Sequence, residues 1–183
     1  MQQIRIHGRG GQGVVTAAEL IAIAAFHSGK YAQAFPHFGV ERSGAPIKSY
    51  ARISDEPILT REQISFPDIL IVQDSTLLDE PEVVAGLGKE TMMVINAPQG
   101  FQLPRRLPTK NIFFSPATEI ALEIFGKNIV NTVILGAFAR HSGLISLEAL
   151  TQAIKEKFQS KGNKIIAKNI EAVTRAYQEK YEK

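Results

Sequence analysis

Residues 8–13 read Gly8-Arg9-Gly10-Gly11-Gln12-Gly13, four glycines in six positions. Gly8, Gly10 and Gly13 fit the pattern G-x-G-x-x-G. Residues without side chains let backbone N–H groups come close to a ligand, and a helix that starts just beyond them favours an anion. Four glycines also lose much chain entropy on folding, which a loop tolerates where close approach is required. The first chemistry to expect is therefore a phosphate or another anion. The plainer reading is a tight turn that only lets a helix pack on a strand. Gln12 sits directly before the last glycine, where its amide can both donate and accept. Arg9 is suited to a phosphate or carboxylate, or to plain solvent.

The elements that must hold this loop are legible around it. Gln2 to His7 is β-prone. Val14 to Ser28 has an apolar helical face and stops at Gly29, so the loop lies between strand and helix. A dinucleotide site would also need an Asp or Glu at the end of the next strand, about 20 residues on. That region is Gln33-Ala34-Phe35-Pro36, with Glu19 too early and Glu41 and Arg42 too late. This weakens a free-standing NAD(P)-dependent oxidoreductase.

Further along, His37 to Pro46 reads as a loop. Ile47 to Ile53 alternates as a strand, with Lys48, Tyr50 and Arg52 on a partly wet face. Asp68 to Val72, Met92 to Ile95 and Ile112 to Phe114 read as buried strands. Leu77 to Leu87 reads as a helix closed by Gly88. Ser115-Pro116 reads as an N-cap followed by proline, opening a helix through Phe125. Val130 to Arg140, Ser146 to Phe158 and Ile165 to Tyr181 complete the helices. The helix from Val130 is apolar nearly all round, as a core helix or an interface helix would be, and core is the preferred reading. Strands alternating with helices predict one domain over residues 1–183, a Rossmann-like three-layer α/β/α sandwich whose sheet is mainly parallel and possibly mixed.

Composition narrows the function. The 183 residues contain no cysteine, so a disulfide framework, a thiolate zinc site and a cysteine-ligated iron–sulfur cluster are excluded from this chain. The four histidines lack metal-ligand spacing, and no G-x-S-x-G nucleophile motif occurs. His7 reads as packed, His37 as a weak site candidate, and His27 and His141 as helix-end residues. Arg105-Arg106 reads as a solvated loop. Net charge is +3, and the surplus sits from Lys155 onward, where signs mix at helical spacing. A solvated helix face explains it better than nucleic acid does. The N-terminus lacks the pattern of a signal peptide, and Leu20 to Phe26 is too short to span a bilayer, so the expected location is cytoplasmic.

Gly8 to Val14, followed by a small-residue helix, resembles the opening of the gamma subunit of 2-oxoacid:ferredoxin oxidoreductases. Phe38-Gly39-Val40-Glu41-Arg42-Ser43-Gly44-Ala45-Pro46 is similar to that family's second motif, with Val40 and Ser43 departing from it. Pro67-Asp68 with Asp74, and Asn131-Thr132 with Leu135-Gly136-Ala137, also match in order. The resemblance implies a non-catalytic subunit of a thiamine-dependent enzyme that turns a 2-oxoacid, coenzyme A and oxidised ferredoxin into acyl-CoA, CO2 and reduced ferredoxin. It places thiamine diphosphate, Mg and the iron–sulfur clusters on partner subunits of alpha, beta and delta type. It assigns this chain to the coenzyme A entrance, with Gly8 to Gly13, Glu41 and Arg42 as contact residues and pyruvate or a branched-chain oxoacid favoured as substrate. A purely structural assembly subunit is the other reading.

Overall fold

The computed structural model describes residues 1–37 and 44–179. The chain runs β1 (Gln2–Arg9), α1 (Val14–His27), β2 (Tyr31–Pro36), β3 (Pro46–Ser54) and β4 (Ile69–Val72). It continues through α2 (Pro81–Val84), β5 (Met92–Asn96), β6 (Ile112–Ser115), α3 (Ala117–Phe125), α4 (Val130–Ser142), α5 (Leu147–Phe158) and α6 (Asn163–Gln178). The strands form one sheet in the order β2-β3-β1-β4-β5-β6. The β1-β4-β5-β6 neighbours are parallel, and β3 runs antiparallel to both β1 and β2. The sheet is mixed, because β3 returns directly beside β1 in place of a crossover helix.

Alternation along the strands sorts the two faces. Ile4, Ile6, Ala51, Ile53, Ile69 and Ile71 point into the larger core with α1, α3, α4, α5 and α6. Leu70, Val72, Met93 and Ile95 point into a smaller core with Leu77, Leu78 and Val83. Ten consecutive residues of α4, Val130 to Ala139, are buried, so this helix belongs to the core as its composition implies. Gly136 lets α6 cross it closely: a Cβ there would lie 2.2 Å from the Val173 carbonyl oxygen.

Four expectations are corrected. The face of β3 expected to be partly wet is covered, with Tyr50 and Arg52 only 2% and 1% exposed. Residues 55–67 fold across it, and the Arg52 guanidinium donates to the Glu62 carbonyl and to Gln33 Oε1. Arg5, which pairs with Tyr50 across β1 and β3, donates to the carbonyls of Ile64, Ser65, Val83 and Ala85. The helix expected over Leu77 to Leu87 is divided into a 3-10 turn (Ser75–Asp79) and the short α2. Pro81 holds Glu80 in an extended conformation (φ −75°, ψ 122°), which ends the first piece. Ser115 is the last residue of β6, paired with Asn96, and not a helix cap; Pro116 occupies that position. Finally, the mixed charges from Lys155 onward do not form one helix face, because α5 stops at Phe158 and α6 starts at Asn163, and Glu156 meets His27 at 2.9 Å. The expected end of the last helix at Tyr181 lies outside the described residues.

Candidate functional site

The chain leaves β1 toward β2 and β3 on one side, while β4, β5 and β6 continue the sheet on the other. The carboxyl ends of β1 and β4 therefore flank the point where the strand order reverses, where open α/β sheets bind ligands. The glycine loop sits there. Gly10 N–H donates to the Ala45 carbonyl at 2.8 Å, and Gly44 N–H donates to the Gly10 carbonyl at 3.0 Å. These bonds carry the β1–β3 ladder past Arg9↔Pro46, so the end of the second motif lies against the first. Glu41 and Arg42, the other expected contact residues, lie outside the described residues.

Within the loop, each expected residue has a defined task. Gln12 Oε1 accepts from Arg9 N–H at 2.7 Å, and Gln12 N–H donates to the Arg9 carbonyl at 3.0 Å, which closes the turn. The Arg9 guanidinium pairs with Asp74 Oδ2 at 2.9 Å and donates to Thr76 Oγ1 at 2.7 Å. Burial by itself would raise the Asp74 carboxyl, but hydrogen bonds from the Thr76 hydroxyl and N–H, together with Arg9, hold it below its ordinary pKa. Asp74 is thus an ionised carboxylate already matched to the loop's one cation. Gly8 and Gly13 are required by packing: a Cβ would lie 2.6 Å from Val14 Cγ2 at Gly8 and 2.5 Å from Asn131 Nδ2 at Gly13. Gly13 also has φ +71°, and Gly11 has φ +92° with open space around it.

Beside the loop, a cavity of about 260 Å³ opens at the ends of β4, β5 and β6, lined by Gln12, Gln73, Asp74, Asn96, Thr118 and Asn128 among others. Asn96 uses both ends of its amide. Nδ2 donates to the Gln73 carbonyl and to Thr118 Oγ1, and Oδ1 accepts from Thr118 N–H. Gln73 is fully buried, and neither side-chain oxygen nor nitrogen has a hydrogen-bond partner. Sequence reasoning missed Gln73, Asn96 and Thr118. For Gln73 and Asn96 the available signal was a polar residue at the carboxyl end of an apolar strand; Thr118, in the first turn of α3, carried none.

On the other face of the sheet, a cavity of about 230 Å³ lies between β1, β3 and α2, lined by His7, His37, Lys48 and Glu82 among others. His7 is 3% exposed, a packed histidine as its position suggested. Burial, then the nearby Arg5, Lys48 and His37, push its pKa down to about 3, so the imidazole is neutral. Lys48 and Glu82 are ion-paired across the wall. His141 stacks on Phe113 at 3.9 Å, and burial then Arg140 lower its pKa, so its surroundings do not show the cation stabilisation expected at a helix end. Arg105 donates to the Asp79 carbonyl. No cluster of three or more His, Asp or Glu suited to a metal occurs among the described residues, and none of their helices is long and apolar enough to cross a membrane.

An open mixed α/β sheet with a glycine loop at its switch point, tied to the Gly44–Pro46 end of the β2–β3 connection, defines a Rossmann-like α/β protein. Residues 3–179 match the family model described as pyruvate ferredoxin/flavodoxin oxidoreductase. The chain belongs to that family and is of its gamma-subunit type. It is 49% identical over 179 residues to pyruvate synthase subunit PorC of Methanothermobacter thermautotrophicus, covering 98% of this chain and 96% of that one. It is 44% identical over 182 residues to the common gamma subunit of the pyruvate/ketoisovalerate oxidoreductases of Pyrococcus furiosus, covering 97% and 96%. The crystal structure of pyruvate oxidoreductase subunit PORC from Thermotoga maritima superposes with TM-score 0.83 at 37% identity, over 97% of this chain and 96% of that chain. The 2-oxoglutarate:ferredoxin oxidoreductase of Magnetococcus marinus, solved with 2-oxoglutarate, coenzyme A and succinyl-CoA, matches with TM-score 0.75 at 25% identity; 96% of this chain corresponds to 30% of that one.

Proposed function

We propose that this chain is the non-catalytic gamma subunit of a thiamine-dependent 2-oxoacid:ferredoxin oxidoreductase and helps form the coenzyme A entrance of the assembled enzyme. The observation that carries the reading is the pairing of the glycine loop with the Gly44–Pro46 end of the second motif through the Gly10 bonds. One rim of two motif segments is what a shared ligand or partner contact requires, and a turn needed only for packing would not call for the second segment. A relative of the same fold was solved with coenzyme A, which supports the assignment of substrate class.

Thiamine diphosphate, Mg and the iron–sulfur clusters belong in this reading to alpha, beta and delta-type partner subunits, and electrons leave through them to ferredoxin. The residues of this chain do not fit a cysteine-ligated cluster, since it has no cysteine. Its contribution is positional: the loop rim limits access, and Arg9, held by Asp74, stiffens it. The NAD(P) alternative is disfavoured by topology. β3 separates β2 from β1, so the end of β2 is not beside the glycine loop, and it carries no acid.

The test is reconstitution of the tagged chain with its partners, followed by coenzyme A-dependent viologen reduction with a panel of 2-oxoacids. Gly10→Val is the informative variant, because Gly10 makes both backbone bonds that join the two loop segments. A raised KM for coenzyme A or lost subunit docking is expected. Unchanged turnover and assembly would refute the role.

A further inference from the structure

The glycine loop has little of its own to hold it. Residues 8–13 carry only two side chains, those of Arg9 and Gln12, and the four glycines leave the backbone wide conformational freedom. Both side chains end on one carboxylate. Arg9 Nε donates to Asp74 Oδ2 at 2.9 Å, and Gln12 Nε2 points to the same oxygen at 3.4 Å. The other carboxylate oxygen serves the turn that follows β4: Asp74 Oδ1 accepts from the Thr76 N–H at 3.1 Å and from its hydroxyl at 2.6 Å. The Thr76 hydroxyl oxygen in turn accepts from Arg9 Nη2 at 2.7 Å.

The remaining arm of the guanidinium, Nη1, reaches the Gly44 carbonyl at 3.3 Å. One side chain therefore joins the glycine loop, the end of the second motif and the turn after β4. Gly44 and Asp74 are 35 and 65 residues from Arg9 in sequence. The donors of a guanidinium are fixed in a plane, and here each of its three nitrogens has its own acceptor, which sets its orientation. The Arg9 and Asp74 side chains are 34% and 19% exposed, and Thr76 is exposed. A pair in such surroundings adds little to the unfolding free energy. Its effect is local, on where the loop backbone stands.

We propose that Asp74 and Thr76 are positioning residues of the assembled oxidoreductase: acting through Arg9, they fix the glycine loop against the second motif, and that placement sets the KM for coenzyme A without contact to the reacting atoms. The proposal rests on the loop-rim reading above and adds to it the residues that hold the rim in place.

Three variants test it. Asp74→Asn keeps the shape and removes the charge, Thr76→Val removes the hydroxyl, and Thr76→Ser keeps it. Each full chain is reconstituted with its partners, and coenzyme A-dependent viologen reduction is measured. Asp74→Asn is expected to raise the KM for coenzyme A at least about tenfold with kcat within about twofold, because charge-assisted hydrogen bonds to the guanidinium are lost. Thr76→Val should raise it about threefold, since one neutral hydroxyl is lost, and Thr76→Ser should restore the wild-type value. Hydrogen exchange on the full chain gives a second readout. The Gly10 and Gln12 amides, both hydrogen-bonded in the structure, should lose protection in Asp74→Asn and Thr76→Val at an unfolding midpoint close to wild type. A lowered kcat at unchanged KM would overturn the proposal. So would an unchanged KM in both variants, failure of Thr76→Ser to restore it, or unchanged loop exchange. Thr76 is exposed, so Thr76→Val decides the matter if Asp74→Asn unfolds the turn that Asp74 caps. A raised KM in Gly10→Val, with Asp74→Asn and Thr76→Val both at the wild-type KM, would sink this proposal alone. Unchanged turnover and assembly in Gly10→Val would sink the rim reading and the KM assignment with it, while loop exchange in Asp74→Asn would still show whether Asp74 holds the loop.

Discussion

Arg5→Met should release the covering of the sheet's polar face while sparing the larger core. Arg5 is 4% exposed, and its guanidinium reaches four carbonyls at 2.6 to 3.4 Å. Those to Ile64 and Val83 are buried, and those to Ser65 and Ala85 are partly buried, so water can replace only the latter two. A hydrogen bond from a charged donor contributes about 1.5–3 kcal/mol net, and an abandoned buried acceptor costs a similar amount. Against this, burial lowers the Arg5 pKa, so part of the loss is returned when the charge leaves. Methionine keeps the stem's apolar contact. The balance is a destabilisation of roughly 2–4 kcal/mol, or a Tm lower by very roughly 10 °C for a chain of this size. Urea unfolding followed by circular dichroism would give the first figure. Hydrogen exchange would locate it, with protection lost around residues 55–67 and α2 and retained in α4. An unfolding free energy within about 0.5 kcal/mol of wild type would refute the clamp.

Two further predictions concern packing and pH. Gly136→Ala should cost about 1–3 kcal/mol or more, because its Cβ would fall 2.2 Å from a backbone oxygen of α6 that cannot move alone. A thermal melt equal to wild type would mean that α4 and α6 are not in contact there. His7 has a folded pKa of about 3 against an ordinary 6.5, so the unfolded chain binds its proton first and stability falls as pH drops below 6.5. Between pH 7 and pH 4.5 this amounts to roughly 2–3 kcal/mol, and His7→Phe should lose that much less over the same interval in paired urea titrations. Equal slopes in both proteins would show that His7 does not set the acid sensitivity.

Features with a local cause could be read from the residues alone. Four glycines between a β-prone stretch and a small-residue helix specify a strand, a loop and a helix in that order. Unbroken apolar runs such as Ile69 to Val72 specify strands covered on both faces, and a helix apolar all round specifies a core helix. Motif order was enough to place the chain in its family. Tertiary structure decided the rest. Tyr50 and Arg52 look solvated by alternation, because nothing local shows that residues 55–67 return to cover them, with Gln63 meeting the tyrosine and the Glu62 carbonyl the arginine. Pro81 divides a segment whose composition is otherwise helical. Arg9 looked free for an anion until β4 placed Asp74 beside it, 65 residues further along the chain. Gln73 follows the expected strand Asp68 to Val72, and only the finished fold makes it a fully buried amide without a hydrogen-bond partner. Periodicity reports which face a residue points to. What waits on that face is set by segments far away in the chain, through hydrogen bonds and charges that form only once the fold is complete.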